Sequence, residues 1–325
     1  MFPQWRPLSL EDFEWDEPKG FSSFTMAIRC LRDVDPPAVL FRNLEGKENA
    51  ILDSATEKEI FLLLGDQRIA ARCLHYDDTC RIEEYYDGRT LTPEDLKDTK
   101  VLKGIASELY RFHQLRPESL PGGSFFELLH DKWGPLARTV LEDHRHLFPT
   151  DEQVMCDELW PMLTDEAASM VQRCLPEGPL AFCHNDTYHG NVMKLSGGDI
   201  RLLDFEFSCL NHPAFDFANL FAETVMEHNQ RDAPYFRIAE PQYTTKDIST
   251  LVGHYLDCGP LTGEARANEL DRLVAETRDM TMLSDYMYAM AAIPLAVHPI
   301  QKIRFIPYAH ARWNRFIDEY ARRFG

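Results

Sequence analysis

The sequence predicts an α+β fold in two lobes, the first rich in β-structure and the second mainly helical. Three observations lead there. Four short β-like runs and a single helix crowd into the residues before 88. From Pro93 onward, apolar residues recur mostly at the spacing of one helix face. One compact β segment, residues 180–203, interrupts those helices.

In chain order, residues 1–19 are rich in Pro, Trp and acid and read as an extended N-terminal arm. Phe24 to Leu31 and Ala38 to Leu44 read as strands, joined by the loop-forming Arg32-Asp33-Val34-Asp35-Pro36-Pro37. Ser54 fits an N-cap for a helix through Leu64, with Glu57 three residues on as in a capping box. Arg72–His75 and Arg81–Tyr86 read as two more strands, closed by the turn signal Asp87-Gly88. Helices are then expected over Leu96–Leu115 and Glu152–Leu175, the latter despite Pro161. Leu180–Cys183 is a short strand, and Ser196-Gly197-Gly198-Asp199 turns Val192–Leu195 back onto Ile200–Leu203. Helices follow over Ala214–His228, Lys246–Leu256, Leu273–Ala292 and Ile306–Arg323. The division implied is an arm over 1–19, a first lobe over 20–88 and a second over 89–325.

Length and composition narrow the function. With 325 residues the chain can bury a large core. A formal charge of −19 argues against a nucleic-acid partner, because a phosphate backbone calls for clustered Lys and Arg. The same charge suits a cationic substrate, though acidity for solubility alone explains it as well. Eight scattered cysteines form no C-x-x-C pair, and the N-terminal residues lack a secretory pattern, so reduced thiols and a cytoplasmic location are expected. No apolar stretch is long enough to span a membrane.

The chemistry concentrates in His184-Asn185-Asp186-Thr187-Tyr188-His189-Gly190-Asn191 and, across the hairpin, Leu203-Asp204-Phe205-Glu206. Transfer of a phosphoryl group from ATP needs a carboxylate beside the attacking hydroxyl and oxygen ligands for Mg²⁺ on the phosphates. Asp186 and Asn191 have the Asp-x4-Asn spacing of a kinase catalytic loop, and the hairpin returns Asp204 toward Asn191. A lone Asp-x4-Asn would read as an ordinary turn. The preceding strand, the His two residues before Asp186 and the Asp-Phe after the hairpin make it a phosphoryl-transfer site. The paired histidines His144/His146 and His184/His189 lack the spacing and third ligand of a zinc site.

These residues, with Gly190-Asn191 and Leu202-Leu203-Asp204-Phe205-Glu206-Phe207-Ser208, resemble the choline/ethanolamine kinase family, within the wider aminoglycoside-phosphotransferase-like kinases. The resemblance continues through Asn211-His212-Pro213-Ala214-Phe215-Asp216 to Glu223 and covers the chain from about Gly20 onward. It implies a bilobal protein-kinase-like fold, with Asp186 as catalytic base, Asn191 and Asp204 on Mg²⁺, and Asp216 bracing the loop. Glu206 follows the Asp-Phe pair and is a further candidate for metal or substrate. In the first lobe, Ser22 and Ser23 fall where a phosphate-covering loop belongs, although Lys19 and Ser23 depart from the family pattern. Arg42 resembles the basic residue on the ATP phosphates and Glu57 its partner, where a solvated strand residue and a capping acid are the plainer alternatives. Backbone near Glu84 to Tyr86 is expected to meet adenine.

The resemblance also implies a small cationic amino alcohol as phosphoryl acceptor, drawn from Glu223, His228, Tyr288 and Phe305 together with Asp186. Tyr288 and Ala291 stand where the family has tryptophans, Phe305 where it has a tyrosine, Thr224 replaces an aromatic and His228 a tyrosine. A lost cation–π wall costs about 0.5–2 kcal/mol, roughly 2- to 30-fold in affinity. A primary ammonium loses less than a trimethylated one because carboxylates accept its N–H bonds, which favours ethanolamine slightly over choline. His228 either accepts a bond when neutral or repels a cation when charged. Rival readings are a kinase for an aminoglycoside or sugar derivative and a nucleotide-binding pseudokinase. The sequence leaves the oligomeric state open, a homodimer included.

Overall fold

A computed structural model describes residues 2–16, 25–44, 52–228, 230–298 and 303–325. Ser22 and Ser23 lie outside the described residues. The first sheet is antiparallel, built from β1 (Phe13–Trp15), β2 (Thr25–Cys30), β3 (Ala38–Asn43), β4 (Cys73–Tyr76) and β5 (Cys80–Glu84), in the order β1-β2-β3-β5-β4. Part of the expected arm is thus an edge strand, with Phe13 opposite Cys30 and Trp15 opposite Ile28. The central register sets Leu40 against Glu83 and Arg42 against Arg81, so the charges of β3 and β5 lie side by side. Helix α1 (Ser54–Asp66) buries Ile60, Phe61 and Leu64. Its cap is Asp53 rather than Ser54: the Asp53 carboxylate accepts from the Thr56 amide at 2.9 Å, while Ser54 is already helical.

The chain leaves this sheet after Glu84. Strand β6 (Gly88–Thr90) pairs with β8 (Val192–Leu195), which continues to β9 (Ile200–Leu202), and β7 (Ala181–Cys183) pairs with β10 (Cys209–Asn211). Residues 85–87 therefore connect the first sheet to strands that belong with the helices. Gly88 is required at that junction, because a Cβ there would lie 2.5 Å from the Lys194 carbonyl oxygen. The β8–β9 turn is the expected hairpin, closed by the Leu195 amide on the Asp199 carbonyl at 2.8 Å, with Gly198 at φ 93°.

The helices are α2 (Thr99–His113), α3 (Phe125–Leu128), α4 (Gly134–Asp143), α5 (Thr150–Leu159), α6 (Asp165–Cys174), α7 (Pro213–Ala222), α8 (Thr245–Asp257), α9 (Gly263–Leu295) and α10 (Phe305–Phe324). Three expectations are corrected. The long helix over 152–175 breaks into α5, a 3-10 turn at Trp160–Leu163 and α6. Pro161 has no amide hydrogen to continue the ladder, and Thr164 starts afresh by capping the Ala167 amide at 3.4 Å. The helix expected to reach His228 stops at Ala222, and Met226–His228 forms β11 of a hairpin with β12 (Phe236–Ile238). Helix α9 in turn begins at Gly263 rather than Leu273, since Thr262 takes extended backbone before it.

Helices α7, α9 and α10 enclose the core of the second lobe, with Phe217, Phe221, Leu283, Met287, Met290 and Phe316 buried. Complete burial of such side chains contributes about 1.5–3 kcal/mol each. That packing presents the C-terminal end of α7 and the middle of α9 to the loop at residues 184–191. Among the described residues no helix is long and apolar enough to cross a membrane.

Candidate active site

The loop from His184 to Asn191 leaves β7 and is pinned from beneath by Asp216 of α7. The Asp216 carboxylate accepts from the His184 amide at 2.9 Å, the Asn185 amide at 2.7 Å and His113 Nε2 at 2.9 Å. Burial pushes its pKa up, but His113 and the backbone N–H bonds more than offset this and hold it below the usual range. Asn185 sits at φ 66°, a conformation Asn tolerates better than most residues, and its amide is fixed by the Phe207 carbonyl and by Asn211. His184 is buried, which lowers its pKa and keeps it neutral. Its Nε2 donates to the Leu203 carbonyl at 2.8 Å and its Nδ1 accepts from the Asp186 amide at 3.2 Å. One imidazole thereby ties this loop to the strand end before Asp204.

Asp186 lies at the mouth of this loop. Its Oδ2 accepts from Asn191 Nδ2 at 2.7 Å, and its carbonyl accepts from the same amide at 3.0 Å. Burial pushes the Asp186 carboxyl well above its ordinary range; the Tyr288 hydroxyl opposes this, while Asp204, Glu206 and Glu223 add repulsion. Asp204 follows β9 at φ 63°, with the Leu203 amide donating to the Asn191 carbonyl at 2.8 Å beside it. Because Asn191 commits its Nδ2 to two acceptors, its Oδ1 is the atom left to serve as a ligand. An amide oxygen and a partly exposed carboxylate make a hard oxygen donor set, which fits Mg²⁺.

Asp186, Asn191, Asp204, Arg42, Glu57, Glu84, Tyr86, Glu223, His228, Tyr288 and Phe305 all line one cleft of about 700 Å³ between the sheet and the helices. Arg42 reaches in from β3, its Nε 3.4 Å from Glu83 and its Nη1 4.0 Å from Asp204. Its charge is favoured despite burial, through Glu83 first and then Asp204, Glu206 and Glu57. The nearer carboxylate is therefore Glu83, to which sequence reasoning assigned no role, and Arg81 fixes it at 2.8 Å while stacking 3.7 Å from the Phe61 ring centroid. The alternation Arg81-Ile82-Glu83 was the signal available for that pair. The Glu84 amide is used by the sheet, donating to the Arg72 carbonyl at 2.9 Å, which leaves main-chain contacts to the residues after it.

At the other end of the cleft, Arg312 of α10 is completely buried. It pairs with Glu223 Oε1 at 2.6 Å and Asp285 Oδ1 at 2.9 Å, and donates to the Tyr308 hydroxyl at 2.7 Å. Its guanidinium also lies 4.9 and 5.0 Å from the ring centroids of Tyr288 and Tyr308. No local pattern in the sequence joins Arg312 to Glu223 and Asp285, because partners from separate helices meet only on folding. Hairpin β11–β12 brings His228 against Tyr308, centroids 6.0 Å apart. Burial, with Arg312 and His189 adding to it, lowers the His228 pKa to about 4. The ring is therefore neutral at pH 7, and its Nδ1 has no hydrogen-bond partner among the described residues.

Comparison with known proteins accords with this arrangement. The model of the choline/ethanolamine kinase family matches residues 20–317. Choline kinase A2 of Caenorhabditis elegans is 25% identical over 88% of this chain and 75% of its own length. Ethanolamine kinase 2 of Rattus norvegicus is 24% identical over 97% and 77%. In structure, a choline kinase from Cryptosporidium parvum superposes with a TM-score of 0.79 at 19% identity, covering 99% of this chain and 92% of that one. An ADP-bound aminoglycoside phosphotransferase superposes at 0.55 and 12% identity, over 96% and 95%. The fold is thus the bilobal kinase-like one that the motif order predicts. By the reach of the family match, the chain belongs to the choline/ethanolamine kinase family and is a phosphotransferase with an alcohol acceptor.

Proposed function

We propose that this enzyme transfers the γ-phosphate of ATP to the hydroxyl of a small amino alcohol, ethanolamine ahead of choline. The observation that carries the reading is Asp186, whose Oδ2 meets Asn191 on the phosphate side while its Oδ1 faces the pocket of Glu223, His228 and Tyr288. Asp186 takes the acceptor proton as the alcohol oxygen bonds to the γ-phosphorus and the bond to the bridging oxygen of ADP breaks. Arg42, steadied by Glu83 and within the field of Glu57, neutralises phosphate charge. Mg²⁺, held by Asn191 and Asp204, would add positive charge against the phosphate oxygens. Backbone at Tyr85 and Tyr86 meets adenine.

The preference for ethanolamine follows from what the pocket offers a cation. Arg312 already covers ring faces of Tyr288 and Tyr308 on which N-methyl groups would stack. Hydrogen-bond acceptors remain. Glu223 gives Oε1 to Arg312 and Ser284 and has a second carboxylate oxygen to offer, and the neutral His228 presents Nδ1. A primary ammonium uses such acceptors and a trimethylammonium cannot.

Coupled measurement of ADP release with ethanolamine, its N-methyl series, choline, an aminoglycoside and a sugar tests this. The expected kcat/KM falls with each methyl group. A maximum at choline removes the preference, and turnover restricted to the sugar rejects the acceptor class. Asp186→Ala should lose about 10²–10⁴-fold in kcat with folding retained. Wild-type turnover by that variant rejects the base.

A further inference from the structure

Tyr288 is more than a wall of the acceptor pocket. Its hydroxyl donates to Asp186 Oδ1 at 2.5 Å, on the side of the base away from Asn191. The phenol is held in turn. Asn219 Nδ2 bonds the Thr187 carbonyl at 3.2 Å and the phenol oxygen at 3.4 Å, and Asn219 Oδ1 accepts from the Ser284 hydroxyl at 2.7 Å. Arg312 lies over the ring. Catalytic loop, α7 and α9 thus combine to aim one hydroxyl at one carboxylate oxygen.

An acceptor alcohol must donate to this same carboxylate from the pocket side to be deprotonated. Water satisfies the same requirement and is smaller and far more concentrated than any acceptor. We propose that Tyr288 is a positioning residue that guards the base: its hydroxyl keeps Asp186 Oδ1 until the acceptor alcohol takes over that bond, and so prevents activation of water against ATP. The inference rests on the reading of Asp186 as the base of an amino-alcohol kinase. In the reaction prevented, the water oxygen bonds to the γ-phosphorus and the bond to the bridging oxygen of ADP breaks. The water proton passes to Asp186 and on to solvent, giving ADP and inorganic phosphate. Guarding has a cost, since the acceptor must displace the phenol and binds more weakly for it.

The full chain carrying Tyr288→Phe keeps the ring and loses the hydroxyl. Acceptor-free release of inorganic phosphate from ATP should rise about 10-fold or more, within the range a general base supplies. The KM for ethanolamine should fall about threefold or more, as expected when a competing hydrogen bond is removed. Unchanged acceptor-free hydrolysis in a folded variant, judged by its melting temperature, overturns the proposal. Extra hydrolysis that survives in the Asp186→Ala/Tyr288→Phe double variant overturns it too, because the water would then not be using this base. If Tyr288→Phe does not fold, Ser284→Ala decides: slackening Asn219 should raise hydrolysis in the same direction, and no rise counts against the guard. A wild-type enzyme inert toward the whole amine panel sinks the amino-alcohol reading separately, while the hydrolysis ratio still decides on Tyr288.

Discussion

Asp216 shows how much one buried carboxylate can decide. It satisfies two consecutive backbone amides, at His184 and Asn185, and is itself satisfied by His113, which also bonds the Tyr255 hydroxyl at 3.0 Å. Asp216→Ala strands those two buried amides and one imidazole, and each buried donor left unsatisfied costs about 1–3 kcal/mol. Expected outcomes are that loss in chemical denaturation and kcat reduced further than stability alone explains, since Asn185 no longer holds its φ of 66°. Asp216→Asn keeps one acceptor oxygen and should recover part of both. Asp186 through Asn191 were legible as chemistry because residue type and spacing suffice to mark them. The partners of Asp216 were not, since His113 lies far back in the chain and comes under the loop only when α2 packs against β7.

Elements meet at Arg312. Two carboxylates, Glu223 just after α7 and Asp285 on α9, are neutralised by one guanidinium from α10, with Arg315 adding a contact to Asp285 at 3.2 Å. Arg312→Met preserves bulk but leaves Glu223 and Asp285 buried and facing each other. It should destabilise the fold by about 3–5 kcal/mol in urea unfolding. The triple variant Arg312→Met/Glu223→Gln/Asp285→Asn should regain much of that, because the carboxylates rather than the missing side chain carry the cost. No recovery would place the loss in packing instead. Helical periodicity showed α10 and most of α9, yet amphipathic patterns do not say which polar residues turn inward. The break at Pro161 and the turn to β11 escaped the same reading because apolar spacing continues past both.

Across the whole molecule, two half-buried histidines set an acid limit. His189, on the loop that carries Asp186 and Asn191, and His228, on the β11–β12 hairpin, both have pKa values lowered to about 4, burial being the main cause. Unfolded, each titrates near 6.5, so between about pH 6.5 and 4 the unfolded chain binds more protons than the folded one. Stability from these groups is complete above that window and is lost as the pH falls through it. Denaturant unfolding at pH 7, 6 and 5 should show the wild type losing about 1–2 kcal/mol per histidine by pH 5, relative to His189→Gln/His228→Gln. Relief of the overall −19 charge on acidification acts on both proteins alike, so their difference isolates the histidines. Parallel curves would show that the rings are solvated.

By itself the sequence determined most of the order of elements and the class of chemistry, and it singled out the loop to which that chemistry is assigned. Those follow from local periodicity, turn residues and the fixed spacing of Asp186, Asn191 and Asp204. Only the tertiary structure decided which polar groups meet: Arg42 with Glu83, Asp216 with His113, and Arg312 with Glu223 and Asp285. It also decided that Tyr288 bonds Asp186 and that His228 is neutral. The physical reason is range. Backbone preferences act over a few residues, whereas burial and charge pairing depend on which side chains the packed lobes bring within a few ångströms.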